Sequence, residues 1–134
     1  MTDTDIDGTK PRVLLVDDEE GVRMSLRALL EREYRIASVP SGEAAMEELP
    51  RFRPDVVLLD VRLLPSMSGL DALDRIKAFD ERIEVVMITA FASLATLNEA
   101  LRRGACGYLI KPFPRQDLEL MVRDALGRRG PRLS

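Results

Sequence analysis

Short aliphatic runs alternate with amphipathic segments along most of this chain, and no other feature constrains its fold as strongly. Three of the runs cover residues 13–16, 56–59 and 85–88, and polar residues border each of them. Runs of this length and composition are typical of strands that a parallel sheet buries on both faces. The alternation therefore predicts an α/β fold, a doubly wound five-stranded parallel sheet with helices on both faces.

The predicted strands have a definite order in the sheet. They cover residues 12–16, 35–39, 55–59, 85–88 and 108–110. A flavodoxin-like order, 2-1-3-4-5, is expected, because it places strands 1 and 3 side by side at the point where the order reverses.

Helices are predicted between and after the strands. Two of them cover residues 19–33 and 41–49, with Ser41 as the expected cap of the second. Gly104 is expected to end the fourth helix. Apolar residues at helical spacing mark the other three helices: Leu70, Leu73 and Ile76; Leu94, Leu97 and Leu101; Leu118, Met121, Val122 and Ala125.

Charged side chains follow the predicted strand ends. Asp17 and Asp18 come directly after the first strand, Asp60 after the third, and Lys111 after the fifth. Because ligands bind at the carboxyl ends of parallel strands, these groups are expected to converge. Clustered carboxylates repel one another unless a cation is present, and Mg²⁺ prefers oxygen ligands. The pattern predicts a Mg²⁺ site that leaves positions for water and phosphate.

Three residues near this edge have more than one interpretation. Thr89 follows the fourth strand, where a hydroxyl serves as a turn or helix cap or as a donor to an oxyanion. Tyr108 fits a core residue and a switch about equally well. Lys111 is one of three lysines beside seventeen arginines, so its position favours a compact point charge, although a surface lysine fits too. The Lys111–Pro112 peptide bond can be cis or trans.

Composition excludes several classes of protein. The 134 residues suffice for one domain with a buried core, and the net charge is −3. The absence of histidine excludes histidine-based catalysis and histidine metal ligands. The single cysteine, Cys106, is expected to be a buried, unreactive thiol, and the reducing cytoplasm is the default location. The apolar runs are too short for a membrane span, and the negative charge argues against direct nucleic-acid binding.

We expect three segments along the chain. Residues 1–10 carry three aspartates without apolar periodicity and predict a disordered N-terminal tail. Residues 11–128 form the domain, and residues 129–134 form a tail or the start of a linker. The arginine pairs at 102–103 and 128–129 are expected on solvated faces or in partner contacts.

The chain resembles the receiver domains of two-component response regulators. The resemblance extends over residues 12–127 in order, and its specificity comes from the motifs taken together. They are Val-Leu-Leu-Val-Asp17-Asp18-Glu19, then Leu-Leu-Asp60 with Pro65 and Ser68-Gly69 downstream, Ile88-Thr89-Ala90, and Tyr108-Leu-Ile-Lys111-Pro112-Phe113.

The resemblance implies a role for each site residue. Asp60 is the phosphoacceptor, and Asp17 and Asp18 hold Mg²⁺ with help from Asp60 and the main-chain carbonyl of Arg62. Lys111 neutralises phosphoryl charge. Thr89 bonds a phosphoryl oxygen, and Tyr108 then rotates and alters the surface of helix 4, strand 5 and helix 5. Such a domain catalyses only its own phosphorylation and dephosphorylation.

The implied partners are a sensor histidine kinase and an output domain or downstream protein. The resemblance leaves open whether phosphorylation also drives formation of a homodimer. The stretch 104–113 is more similar to the receivers of transcriptional activators than to chemotaxis regulators.

One departure from the family pattern lies after Asp60. Pro65 stands five steps beyond Asp60, where the family usually has four, so Leu63 or Leu64 is an extra residue. We expect Mg²⁺ binding to persist with a changed loop path. Three alternatives stay open: a phosphorylation-independent interaction module, a Mg²⁺-dependent phosphohydrolase with an aspartyl nucleophile, and a flavin-binding protein. Against them stand the retained site residues, the missing cap segment and the missing phosphate loop, respectively.

Overall fold

The computed structural model describes residues 10–62, 67–90 and 93–130. Strands and helices alternate through these residues, as the apolar pattern predicts. Their bounds are β1 (Arg12–Val16), α1 (Glu20–Leu30), β2 (Arg35–Val39), α2 (Gly42–Phe52), β3 (Val56–Asp60), α3 (Gly69–Phe79), β4 (Glu84–Thr89), α4 (Leu94–Arg102), β5 (Gly107–Ile110) and α5 (Arg115–Arg129).

All five strands are parallel and lie in the order β2-β1-β3-β4-β5, which confirms the predicted fold. In the register, Val16 pairs with Leu59 and Asp60 pairs with Ile88. Thr89 pairs with Ile110 at the far side of the sheet. The carboxyl ends of these strands are therefore level, and the residues that follow them lie side by side.

Helices cover both faces of the sheet, so the central strands are buried on both sides. Every residue of β3 is buried. One core cluster joins the sheet to α2, α3 and α4, and the other joins it to α1 and α5. Among the described helices, none combines the length and apolar character needed to cross a lipid bilayer.

Several element boundaries differ from the sequence prediction: α1 covers Glu20–Leu30 where 19–33 was predicted, β4 covers Glu84–Thr89, and β5 begins at Gly107. The differences in α2 and β3 have a clear physical reason. Helix α2 was expected to end at Leu49, but it continues through Pro50 to Phe52. A proline removes only one hydrogen bond in a last turn, and the N–H of Arg53 closes that turn by donating to Leu49 O at 2.9 Å. Strand β3 includes Asp60, because the N–H of Val61 extends the pairing to Ile88 O at 3.0 Å. The predicted Ser41 cap is confirmed, since its Oγ accepts from Ala44 N at 3.1 Å.

Cys106 is half-buried and lies just before β5. Burial, followed by the nearby charge of Glu84, raises the pKa of its thiol to about 11. A thiol in that range carries little thiolate at neutral pH, which agrees with the expected low reactivity.

A buried ion pair joins the C-terminal end of α5 to the residue that precedes β3, at the amino ends of the strands. Arg129 Nε lies 3.0 Å from Asp55 Oδ1, and the two side chains are only 10% and 4% exposed. The other carboxylate oxygen of Asp55 accepts from Arg12 N at 2.8 Å. The expected solvated position is wrong for Arg129, whereas Arg128 is 57% exposed. The expected domain boundary after residue 128 falls inside the last turn of this helix.

Removing this pair is expected to destabilise the domain. Replacing Arg129 by methionine removes a buried counter-charge of the Asp55 carboxylate and lowers the free energy of unfolding by about 3 kcal/mol. Urea unfolding measures the loss. The neighbouring Arg128→Met removes only an exposed pair with Asp124 and should cost less than about 0.5 kcal/mol. Equal effects of the two changes would show that the Asp55 pair is not desolvated.

Candidate functional site

The residues that follow β1, β3, β4 and β5 surround one recess at the carboxyl edge of the sheet. Its volume is about 190 Å³. The structure therefore brings together the acidic pair, Asp60, Thr89 and Lys111, as the predicted strand order requires. The recess is lined by Asp18, Glu19, Asp60, Arg62, Thr89, Ala90 and Lys111.

Asp17 is buried beside this recess, and neighbours hold both of its carboxylate oxygens. Oδ1 accepts from the N–H of Glu19 at 2.9 Å. Oδ2 accepts from Lys111 Nζ at 2.9 Å, and the Asp17 side chain is only 3% exposed. Asp18 and Glu19 are exposed. The acidic turn thus has one fixed, desolvated carboxylate and two that face solvent.

Asp60 is the other buried carboxylate of the site, with 6% of its surface exposed. Its Oδ1 accepts from the N–H of Arg62 at 2.9 Å, and its Oδ2 lies 3.8 Å from Lys111 Nζ. Burial is the largest cause that raises the pKa of Asp60 to about 6, and the charges of Asp17 and Asp18 add to it. The Arg62 N–H and the Lys111 ammonium act in the opposite direction.

The raised pKa predicts a pH-dependent stability effect of Asp60→Asn. The unfolded pKa of Asp60 is near 3.8 and the folded pKa about 6, so the folded state binds more protons between these values. The stability that the Asp60 carboxyl contributes is therefore lost as pH rises from about 4 to about 6. At about pH 7.5 without Mg²⁺, Asp60→Asn should raise the free energy of unfolding by roughly 1–2 kcal/mol.

At about pH 5 the same substitution should raise the free energy of unfolding by a smaller amount, because the native carboxyl is already largely protonated there. Urea unfolding in a metal chelator at both pH values measures the difference. A variant that is less stable than the wild type at the higher pH would contradict the destabilising role of the Asp60 charge.

Lys111 connects the carboxylates of the site. Besides Asp17 and Asp60, its Nζ lies 4.0 Å from Glu19 Oε1, and its side chain is 16% exposed. The N–H of Lys111 donates to Thr89 O at 2.8 Å, which fixes the end of β5 against β4. The Lys111–Pro112 peptide bond is cis.

Thr89 and Tyr108 occupy neighbouring strands. Thr89 ends β4 and is fully buried at the wall of the recess. Tyr108 lies in the edge strand β5, opposite Met87 of β4, and is half-buried against the core cluster shared with α3 and α4. Thr89 does not cap α4, because the N-cap of that helix is Ser93, and the role of Thr89 as a donor stays a prediction. The position of Tyr108 agrees with both a core role and a switch role.

The donor atoms at this edge fit a hard divalent cation. One carboxylate oxygen from each of Asp17, Asp18 and Glu19 lies within 4.8 Å of the other two. Glu19 was not among the predicted metal residues Asp17, Asp18, Asp60 and Arg62. All of these donors are oxygen atoms. Burial, and after it the charges of Asp17 and Asp18, disfavours the anionic form of Asp60 and raises its pKa. Mg²⁺ fits both properties, because it prefers oxygen ligands and its positive charge offsets the negative charge of the carboxylates.

Sequence reasoning missed a close contact beneath Asp60. The N–H of Gly69 donates to Val61 O at 3.0 Å, and a Cβ at Gly69 would lie 2.3 Å from Asp60 O. Ser68-Gly69 served only as a family motif, and nothing in the sequence reports this approach. The predicted extra residue, Leu63 or Leu64, and Pro65 lie outside the described residues, so the changed loop path stays a prediction.

Comparisons with known proteins identify one family over most of the chain. The family model of the response regulator receiver domain matches residues 13–123. Regulatory protein AtoC of Escherichia coli is 40% identical over 116 residues, which cover 86% of this chain and 25% of AtoC. Chemotaxis protein CheY of Halobacterium salinarum is 35% identical over 116 residues, covering 86% of this chain and 96% of that protein.

A solved structure gives the same result. The CheY-like response regulator receiver domain protein of Methanospirillum hungatei has a TM-score of 0.85 and 26% identity, and the match covers 90% of this chain and 96% of that one. The strand order and the family model thus agree. The chain belongs to the response regulator receiver domains of two-component signal transduction systems.

Proposed function

We propose that Asp60 accepts a phosphoryl group from the phosphohistidine of a sensor histidine kinase. One observation carries the proposal: a buried carboxylate with a raised pKa opens onto the same recess as Lys111, Thr89 and the acidic turn. The arrangement combines a nucleophile with groups that can stabilise phosphoryl oxygens. Receiver domains pair with sensor kinases, which supports the same partner class here.

The proposed reaction is a direct transfer between two side chains. A carboxylate oxygen of Asp60 forms a bond to phosphorus while the bond from phosphorus to the kinase histidine nitrogen breaks, giving an acyl phosphate. The Lys111 ammonium, 3.8 Å from Asp60 Oδ2, neutralises charge on the transferred group. The Thr89 hydroxyl donates to another phosphoryl oxygen. Positioning and charge neutralisation are most of what such a transfer requires from a protein.

Four residues would hold Mg²⁺ in this reaction. They are Asp17, Asp18 and Asp60 through carboxylates and Arg62 through its main-chain carbonyl, with the Glu19 oxygen close enough to join the acidic turn. Bound Mg²⁺ supplies positive charge against the phosphoryl oxygens.

Phosphorylation is proposed to act on the surface of α4, β5 and α5. Six large apolar side chains are exposed in the described part of the chain, and four lie on these elements: Leu94, Leu101, Ile110 and Leu120. Their concentration on these three elements, and not their number, supports a protein-binding surface there. The Thr89 contact draws its loop inward, Tyr108 rotates, and the population shifts towards a state already sampled.

The relatives support two ways in which this domain could pass on its signal. The chain spans about a quarter of AtoC but nearly all of the CheY relative, so both a fused output domain and a separate downstream protein fit. In this proposal residues 11–128 are the signalling unit and work in the cytoplasm. Phosphorylation-linked homodimerisation would use the same α4, β5 and α5 surface.

Intact-mass spectrometry with acetyl phosphate tests the proposal. With Mg²⁺ we expect one phosphoryl group per chain, and with a metal chelator we expect none. If the switch drives dimerisation, acetyl phosphate should also shift the size-exclusion profile towards a dimer when Mg²⁺ is present. Beryllofluoride, which mimics an acyl phosphate, should produce the same Mg²⁺-dependent shift. A chain that stays unmodified by acetyl phosphate in Mg²⁺ would instead be a phosphorylation-independent interaction module.

A further inference from the structure

Arg23, in the first turns of α1, contacts the main chain of the acidic turn. Its guanidinium donates to Asp17 O at 2.6 Å. Its own N–H donates to Glu19 O at 3.1 Å. One residue thus bonds to both ends of the turn that carries the acidic pair, and it does so from outside the recess.

This contact completes the fixation of Asp17. The N–H of Asp17 donates to Val39 O at 3.2 Å, and its carboxylate is held by Glu19 and Lys111. The carbonyl is the remaining polar group, and Arg23 is the residue that satisfies it from α1. Each polar group of Asp17 therefore has a partner on a different part of the structure.

The start of α1 differs from three other helices in a way that gives Arg23 its importance. Helices α2, α3 and α4 begin with serine caps, at Ser41, Ser68 and Ser93, whose Oγ atoms each accept a main-chain N–H. The N-cap of α1 is Glu19, and it makes no side-chain cap bond. Uncapped helix starts fray easily, and fraying here would displace Asp17 and Asp18.

We infer that Arg23 is a positioning residue that fixes the Asp17 main chain and so holds the acidic pair ready for Mg²⁺. The inference rests on the proposed function, since it gives that site its supporting contact. Outer partners of metal ligands generally govern affinity in this way, by fixing the orientation of the residues that bind.

Charge and positioning predict opposite results, which makes the role testable. Removing a positive charge near a cation site should by itself strengthen Mg²⁺ binding, because repulsion falls. Loss of the contact to Asp17 should weaken it. The sign of the change in affinity therefore separates a positioning role from a purely electrostatic one.

The test is Mg²⁺ titration by calorimetry on the full chain, with Arg23→Gln, Arg23→Lys and the wild type. We expect Arg23→Gln to weaken Mg²⁺ binding about tenfold. Arg23→Lys, which keeps the charge and one donor, should restore part of the loss. Arg27→Gln is the matched control: it removes the same charge one turn later, where Arg27 donates to Ile36 O at 3.4 Å, and should leave Mg²⁺ affinity unchanged or slightly higher.

Each outcome decides one question. Unchanged or tighter Mg²⁺ binding by Arg23→Gln in a chain whose wild type binds the ion would overturn the role of Arg23 alone. Absence of Mg²⁺ binding by the wild type would overturn the proposed function together with it. If Arg23→Gln does not fold by circular dichroism, Arg23→Lys against Arg27→Lys tests the contact alone, because both variants keep the charge. Weaker Mg²⁺ binding by Arg23→Lys only would support the role of Arg23, and equal affinities would overturn it.

Discussion

Asp60→Asn is expected to abolish phosphorylation by acetyl phosphate in the presence of Mg²⁺. The carboxamide keeps the shape of the side chain and an oxygen that can accept from Arg62 N, a bond of 2.9 Å in the wild type. It loses the anionic oxygen that attacks phosphorus. Lys111 retains its 2.9 Å contact with Asp17, so the recess keeps its structure. Intact-mass spectrometry should show no phosphoryl adduct on a folded protein.

A second carboxylate serves as the control for this result. Asp124 lies on α5 with 66% of its side chain exposed, far from the strand ends, and Asp124→Asn should be phosphorylated like the wild type. A persistent adduct on Asp60→Asn would place the acceptor elsewhere and end the assignment of Asp60. Loss of the adduct from both variants would point to a general effect of the substitutions and not to the site.

The architecture was predictable because its determinants are local. Strands β1 and β2 have the predicted bounds. For β1 the reason is its aliphatic run, since such a run between polar borders can be satisfied by burial in a sheet. The strand order then follows from short, right-handed connections. Once β1 and β3 are neighbours, Asp17 and Asp60 must meet, and both predicted residues lie at one edge.

The contacts between distant side chains were not predictable. In the sequence Arg129 is one of two adjacent arginines, yet α5 turns it inwards to Asp55 and leaves Arg128 in solvent. Helical phase at the last turn decides this, and a few residues of uncertainty in the helix end change it. The Arg23 contact to Asp17 O also escapes sequence analysis, because its acceptor is a main-chain carbonyl that every residue possesses.

The metal residues show the same limit on a smaller scale. Asp17 and Asp18 were predicted from their place after β1, whereas Glu19 joins them because the turn brings its carboxylate oxygen within 4.8 Å of theirs. Sequence spacing reports which residues share a turn. It does not report which way their side chains point, since that depends on rotamers chosen by packing and charge.

Gly69→Ala is expected to impair both stability and phosphorylation, because it inserts a methyl group against the main chain of the phosphoacceptor. The new Cβ would lie 2.3 Å from Asp60 O and 2.7 Å from Val61 Cα, closer than real Cβ contacts come. These are main-chain atoms, so no side-chain rotation relieves the overlap. Relief requires the Asp60–Val61 segment or the start of α3 to move.

That movement has two measurable consequences. We expect the free energy of unfolding to fall by about 2 kcal/mol, as in overpacked cores. A displacement of about 1 Å at a reacting group can slow a reaction about a hundredfold, and we expect a loss of that order in the rate of phosphorylation by acetyl phosphate. Gly127→Ala is the matched control, since a Cβ there meets nothing within 4 Å on α5. It should raise stability by up to about 1 kcal/mol without changing the rate. A Gly69→Ala protein that is phosphorylated at the wild-type rate would mean that the main chain around Asp60 yields without moving the carboxylate, and that Gly69 serves packing alone.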